Sequence, residues 1–329
     1  MATVMQENQE IDRVSKFVTG NTRFLGMGSS YFASLYAKYL LQEVAHVDVE
    51  VGLASEFVHY PTSVRSAQVF FVVSQSGESI ETVKTAHFLR HKHAKIVAVT
   101  NQPESSLAAV SDMTLLMHAG EERASATKTF TSTLALFRRL AFSTATRKNL
   151  ITSTLLEKSD AGLISCANSM EEEMPHLETK IRRQVRQLRP YRSTAVLARG
   201  FNLTSALQSA LMFKEVAKVP AEGMTAGEFM HGPIEMASPE LLAIILTGGR
   251  TSSLMFKLVG RLKKAQAETL TIGPQVRQLT RSVLLKEKDE TLLPFPSIVS
   301  LNLIVYFAAL RRRLDPDQFE HISKVTLVE

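Results

Sequence analysis

Residues 21–47, "NTRFLGMGSSYFASLYAKYLLQEVAHV", recur without a gap as residues 193–219, "STAVLARGFNLTSALQSALMFKEVAKV". The two segments keep one offset of 172 positions (215 − 43). The same offset places "EFVHYP" over "EFMHGP" and "FVVSQSG" over "AIILTGG". Residue pairs at this offset include Gly28 with Gly200, Glu43 with Glu215, and His59 with His231. Two homologous halves are the most economical explanation of this register.

Each half has the pattern of an α/β domain. A strand is followed by a glycine-containing turn and a long helix, then by a short helix or loop, a strand, a polar turn, a helix and a further strand. Strands that alternate with helices predict a parallel sheet flanked by helices, with ligands at the carboxyl ends of the strands. We therefore expect two flavodoxin-like domains and a mostly helical connector. The predicted boundaries are 1–165 for the first domain, 166–190 for the connector, 191–315 for the second domain and 316–329 for a C-terminal tail.

A polar loop, "SQSGES" at 74–79, follows the buried strand predicted at 69–73. Apolar residues at helical spacing come next, so the loop lies where a strand meets a helix N-terminus. Unpaired backbone N–H groups and the helix dipole favour an anion there, although serine is also common in caps and ordinary turns. The side-chain donors of the loop are Ser74, Gln75, Ser76 and Ser79.

The second half is poorer in such donors. Its residues at the equivalent loop positions are Leu246, Thr247, Gly248 and Thr251. Ser29 and Ser30 follow the first strand of the first half, where the second half has Phe201 and Asn202. The sequence therefore predicts a phosphate site in the first half.

Composition limits the class of protein. The 329 residues are 45% hydrophobic and 21% charged, as in soluble globular proteins. The N-terminus lacks the features of a signal peptide, and the apolar stretch "IVSLNLIVYFAAL" is interrupted and shorter than a membrane span. A single cysteine, Cys166, excludes an internal disulfide and a cysteine-based zinc cluster and fits the cytoplasm. The net charge of +6 arises mainly at 180–189 and 311–313 without interleaved aromatics, which favours solvated helix faces over nucleic-acid binding.

Six motifs carry a family resemblance. They are "GMGSSYFASL", "SQSGESIET", "TNQPESSLAAVSD", "AGEERASATKTF", "LMFKEVAKVPAEGMTAGEFMHGP" and "SKVTLVE". Together they resemble tandem sugar isomerase (SIS) domain proteins, in particular the isomerase half of glucosamine-6-phosphate synthase and its stand-alone relatives. Those relatives include SIS-type glucosamine-6-phosphate deaminases and fructosamine-type deglycases.

The resemblance implies a role for each site residue. The 74–79 loop matches the family's phosphate loop. Ser30, which follows Ser29 in the sequence, matches a further substrate contact. Glu215 matches the carboxylate that moves a proton between the first two sugar carbons. His231 matches the histidine that opens the sugar ring from a neighbouring subunit, and Lys324 matches the tail lysine that reaches the carbonyl. Ser125 and Thr127 are substrate-contact candidates, although their segment, 119–128, is one residue shorter than the usual form.

Departures from the synthase pattern narrow the expected reaction. Gln208 replaces a glutamate, Met212 replaces an active-site lysine, and no glutaminase domain precedes the repeat, so synthesis of an amino sugar from glutamine is not expected of this chain alone. The expected function is deamination of glucosamine 6-phosphate, with a sugar-phosphate isomerase or a deglycase as alternatives. A non-catalytic phosphosugar sensor is the alternative of another class, although no helix-turn-helix segment is present.

The expected partners follow from that reading. They are a hexosamine or hexose 6-phosphate and at least one further copy of the chain, which would share the active sites. No metal or redox cofactor, nucleic acid or membrane is expected.

Overall fold

The structure is a computed structural model that describes residues 2–61, 63–64, 68–276, 279 and 281–321. The chain divides into two compact units, which meet in the sequence between Ser165 and Cys166. This division lies within one long helix of 34 residues, Ser153–Arg186, in the region where the sequence predicts a mostly helical connector.

The first unit contains a parallel five-stranded sheet of order β2-β1-β3-β4-β5. Central strand β3 is buried along its whole length because sheet neighbours and helices cover it on all sides. The elements are α1 (Asn8–Ser15), β1 (Thr22–Gly26), α2 (Gly28–Ala45), β2 (Glu50–Leu53), α3 (Ala54–His59), β3 (Val69–Val73), α4 (Ile80–His91), β4 (Lys95–Thr100), α5 (Ser106–Val110), β5 (Met113–Leu116), α6 (Lys128–Arg147) and α7 (Ser153–Arg186), whose second part belongs to the next unit.

The second unit contains another parallel five-stranded sheet, of order β10-β9-β8-β6-β7. Numbered from its own first strand, this is again the flavodoxin-like order 2-1-3-4-5, so the predicted fold class is confirmed. The sequence pattern indicated three strands per half and did not distinguish the short edge strands β2, β5, β7 and β10. The elements are β6 (Ser193–Ala198), α8 (Leu203–Glu215), β7 (Ala221–Thr225), α9 (Ala226–Phe229), β8 (Leu241–Leu246), α10 (Ser252–Lys264), β9 (Glu268–Gly273), β10 (Ser282–Leu284) and α11 (Pro294–Arg311).

The repeat extends to individual backbone conformations. His46, directly after α2, and Lys218, three residues after the end of α8, are equivalent in the repeat, and both are left-handed with a φ of 51°. Gly77 and Gly249 are likewise left-handed at equivalent positions, with φ of 67° and 62°. Because non-glycine residues adopt positive φ uncommonly, this agreement supports two copies of one fold.

A buried arginine, Arg139, packs the helical layer of the first unit. Arg139 on α6 lies 3.1 Å from the carboxylate of Asp12 and 3.1 Å from that of Asp160 on α7, while its own side chain is 5% exposed. Burial raises the pKa of Asp160, and the nearby Arg139 charge opposes that rise. Helix α6 is therefore tied to its neighbours by paired charges as well as by apolar contacts.

Helix α11 is longer than the interrupted apolar stretch had indicated. With 18 residues, α11 is long and apolar enough to cross a membrane, judged by length and composition alone. However, 67% of this helix is buried inside the protein. This burial is typical of a core helix. Helix α11 packs against α8.

Candidate functional site

The carboxyl edge of the first sheet gathers the predicted phosphate contacts. Gly26 at the end of β1 aligns with Val73 at the end of β3, and Val73 aligns with Val99 near the end of β4. The loops that follow these strands therefore leave the sheet side by side. The strand order reverses between β1 and β3, and open α/β sheets bind ligands in the crevice at such a point.

The backbone of the 74–79 loop is held by neighbouring strands. The Ser74 N–H donates to the carbonyl oxygen of Val99 at 3.0 Å, and the Asn101 N–H donates to that of Gln75 at 3.0 Å. Gly77 has a φ of +67°, and a Cβ atom at that position would lie 2.1 Å from Ser105 Oγ. The loop conformation thus requires glycine at this position for both torsional and steric reasons.

The serine hydroxyls of the loop retain their donor capacity. Ser74 Oγ accepts from the Gly77 N–H at 3.2 Å, and Ser76 Oγ accepts from the Glu78 N–H at 3.1 Å. In each case the O–H proton remains available for an anion, because a hydroxyl donates once and accepts twice. Ser79 lies at the N-cap of the 12-residue α4 without a side-chain cap bond, which leaves the first N–H groups of that helix open to a ligand.

The other first-unit candidates differ in their surroundings. Ser29 and Ser30 are half-buried in the first turn of α2. Ser125 is 9% exposed, and its Oγ has no hydrogen-bond partner among the described residues. Thr127 has a partner within the chain, since its N–H and Oγ1 donate to Glu122 Oε1 at 2.8 and 3.3 Å.

Asn101 connects the 119–128 segment to the same edge of the sheet. Its Nδ2 donates to the carbonyl oxygen of Gly120 at 2.9 Å, and its Oδ1 accepts from the Ala119 N–H at 2.9 Å. The segment that carries Ser125 and Thr127 therefore begins beside the end of β4. Neither Asn101 nor Glu122 was a candidate from the sequence, because their contacts form between separate loops.

In the second unit, the equivalent loop is covered by the chain itself. The carboxylate of Glu290 accepts from the Arg250 N–H and lies 3.0 Å from Arg250 Nε. A Cβ atom on Gly248 would lie 2.3 Å from Leu293 Cδ1. A carboxylate and an apolar side chain thus occupy space over this loop, in addition to its poorer set of donors.

The two acid–base candidates of the second unit lie on different elements. Glu215 is the last residue of α8 and is half-buried, with buried Met212 one turn earlier. His231 is exposed and follows α9, where its N–H donates to the carbonyl oxygen of Glu228 at 2.9 Å. Thr225 Oγ1 caps α9 by accepting from the Glu228 N–H at 3.0 Å. Lys324 lies outside the described residues.

A family model for the SIS domain matches residues 20–143 and residues 187–310. Each match covers one of the two sheets. The chain belongs to the SIS domain family. The predicted resemblance is confirmed, and the two units are hereafter the first and second SIS domains.

The chain is similar to proteins whose names refer to fructose 6-phosphate or glucosamine 6-phosphate. Glutamine–fructose-6-phosphate aminotransferase of Gloeobacter violaceus is 31% identical over 312 residues, which cover 93% of this chain and 51% of that protein. The C-terminal domain of glucosamine-fructose-6-phosphate aminotransferase from Francisella tularensis has a TM-score of 0.83 at 22% identity and 96% coverage of both chains. Glucosamine-6-phosphate deaminase from Thermotoga maritima has a TM-score of 0.77 at 20% identity and 98% coverage of both. The chain spans about half the length of these relatives in sequence. The solved structures, at 22% and 20% identity, show only that the fold is shared.

The second SIS domain also contains a cavity of about 310 Å³ near its candidate residues. Lys214, the neighbour of Glu215, contributes to the lining. Phe229, Pro233 and Met236 contribute from both sides of His231. The lining also includes residues of β6 and β7 and Leu241 of β8, so the cavity lies against these strands, beside the end of α8 and the segment that follows His231.

Proposed function

We propose that this chain is a phosphosugar enzyme, and specifically a glucosamine-6-phosphate deaminase that yields fructose 6-phosphate and ammonia. The observation that carries the proposal is the contrast between the two equivalent loops. The 74–79 loop presents hydroxyl donors and an open helix end, whereas Glu290 and Leu293 cover its counterpart. One phosphate group per chain, bound in the first SIS domain, fits this contrast.

The proposed reaction uses general acid–base chemistry. His231 would open the ring by proton transfer at the ring oxygen, and Glu215 would then remove the proton from C2 and return it to C1. Loss of the C2 proton gives an enolamine, and return of that proton to C1 gives a ketimine with its C=N bond at C2. Water adds to that bond, and ammonia leaves to give the ketose. The half-buried environment of Glu215 supports this role, since the base must reach both substrate and solvent.

The proposed active site is shared between subunits. His231 is exposed and follows a short capped helix, so a neighbouring copy of the chain has access to its imidazole. Met212 next to Glu215 supplies no charge where the synthase pattern has a lysine, so the proposed site relies on fewer cations than that pattern. The enzyme would be at least a dimer with two shared sites.

A substrate panel tests the proposal. The purified protein is incubated with hexosamine 6-phosphates, hexose 6-phosphates and a phosphorylated fructosamine, and both ammonia and ketose are measured. Release of equimolar ammonia and fructose 6-phosphate from glucosamine 6-phosphate is the expected result. Interconversion of hexose phosphates without ammonia would replace the deaminase by an isomerase. Binding without turnover of any substrate would contradict an enzymatic role.

A further inference from the structure

The residue that follows the histidine has opposite backbone torsions in the two SIS domains. Tyr60, after His59, has φ −124° and ψ 63°. Gly232, after His231, has φ 136° and ψ −59°. These values are close to mirror images, although the positions are equivalent in the repeat. The two histidines therefore lie in turns that continue in opposite senses.

The chain is anchored on both sides of His231. Phe229 is 1% exposed in the core of the second SIS domain, and partly buried Ile234 packs against the same core. His231 and Gly232 between them are both exposed. Pro233 then begins a short 3-10 helix with a restricted φ. Because both ends are fixed, the torsions of Gly232 determine the direction in which His231 leaves the domain.

Glycine is required at this position for its torsions and not for its size. Among the described residues, no atom outside Gly232 and its chain neighbours lies within 4 Å of a Cβ atom built on Gly232. An L-residue would still be strained there, since positive φ of this kind is essentially confined to glycine. A cavity lined by Pro233 and Met236 lies beside this turn.

We infer that Gly232 is a positioning residue, which directs the His231 imidazole toward the sugar ring through its positive φ. This inference rests on the proposed function of His231 in ring opening. The first SIS domain has Tyr60 at the equivalent position and presents His59 as the last residue of helix α3. The turn at Gly232 thus distinguishes the catalytic histidine from its copy.

The test compares a ring-forming substrate with one that cannot form a ring. Glucosamine 6-phosphate is assayed beside its 4,5-dideoxy analogue, which lacks the hydroxyl groups that close a ring. Gly232→Ala should lower kcat on the natural substrate by about 10²-fold, because a displacement of about 1 Å has that effect. Its kcat on the open-chain analogue should stay within about threefold of wild type, and His231→Ala should show the same selectivity.

Two further variants separate position from stability. Gly200→Ala is the matched control, because Gly200 has a φ of +58° and no neighbour in the described part of the chain within 4 Å of its Cβ position. This control should leave both rates unchanged. D-alanine at position 232, introduced by peptide ligation, favours positive φ and should restore the rate on the natural substrate. Equal losses on both substrates, or no loss on either, would overturn the positioning role.

Failure of the proposed function gives a different result. If the wild-type protein turns over neither compound, the function is wrong, and the imidazole NMR signals of His231 then test the geometry. Those signals should shift in Gly232→Ala, return with D-alanine and remain in place in Gly200→Ala. Unchanged signals in Gly232→Ala would overturn the inference without any assay of turnover.

Discussion

Replacing Ser74 and Ser76 by alanine should weaken phosphosugar binding. Each hydroxyl accepts a backbone N–H of its own loop and keeps its proton for an anion. A hydrogen bond to a charged group contributes about 1.5 to 3 kcal/mol, which is about 10- to 150-fold in affinity. Because both hydroxyls would contact one phosphate, their contributions are not additive. The double variant should therefore raise KM by about one to two orders of magnitude.

The assay needs a control in the second SIS domain. Thr251 is equivalent to Ser79, and both are N-caps without a side-chain cap bond. Ser79→Ala should raise KM, whereas Thr251→Ala should not, because Glu290 already accepts the N–H of Arg250 in the loop before that helix. Calorimetric binding of inorganic phosphate gives the same comparison without turnover. An unchanged KM in the Ser74 and Ser76 double variant, with the melting temperature preserved, would refute phosphate binding by this loop.

Four other predictions follow from the same structure. Glu215→Gln should lower kcat by about 10² to 10⁴ through loss of the base, whereas Glu43→Gln should leave it within a few-fold; the reverse result would move the site to the first SIS domain. A mixture of Glu215→Gln and His231→Ala proteins should recover part of the activity if sites are shared, and failure despite proven subunit exchange would mean that each chain builds its own site. Gly77→Ala should lower the free energy of unfolding by about 2 kcal/mol or more, because it combines positive φ with a 2.1 Å contact. Gly260→Ala in α10 should raise it by about 0.5–1 kcal/mol, since its Cβ position is open. Urea denaturation measures both glycine variants.

The fold was predictable because its signals are local. The signals are buried apolar runs such as Val69–Val73 and the glycines that follow strands, and each depends on neighbours within a few positions. Because the sequence is repeated, most of these signals occur in both halves. The strand order agrees with the prediction because alternation of strands and helices leaves few topologies. The place of the 74–79 loop at a helix end was predictable in the same way, whereas membership of the family was predicted from the resemblance of six motifs.

The candidate site was only partly predictable. Ser74, Ser76 and Glu215 could be named as candidates from the sequence, since each belongs to a short motif. The partner of Thr127 was not, because Glu122 reaches it only when the loop folds back on the start of α6. Lys324 stays a prediction outside the described residues.

The sequence by itself determined that this protein is two copies of one α/β domain with a donor-rich loop in the first. Only the tertiary structure shows that the equivalent loop in the second copy is covered by other parts of the chain. The carboxylate of Glu290 accepts a hydrogen bond from the N–H of Arg250, 40 positions away in the sequence. A local sequence pattern does not predict a contact across that distance. Likewise, "HYP" and "HGP" differ by one letter, yet only the folded backbone reveals the mirrored torsions at Tyr60 and Gly232. Periodicity and turn chemistry act over a few residues, whereas closure of a loop and the direction of a side chain depend on which distant segments pack against it.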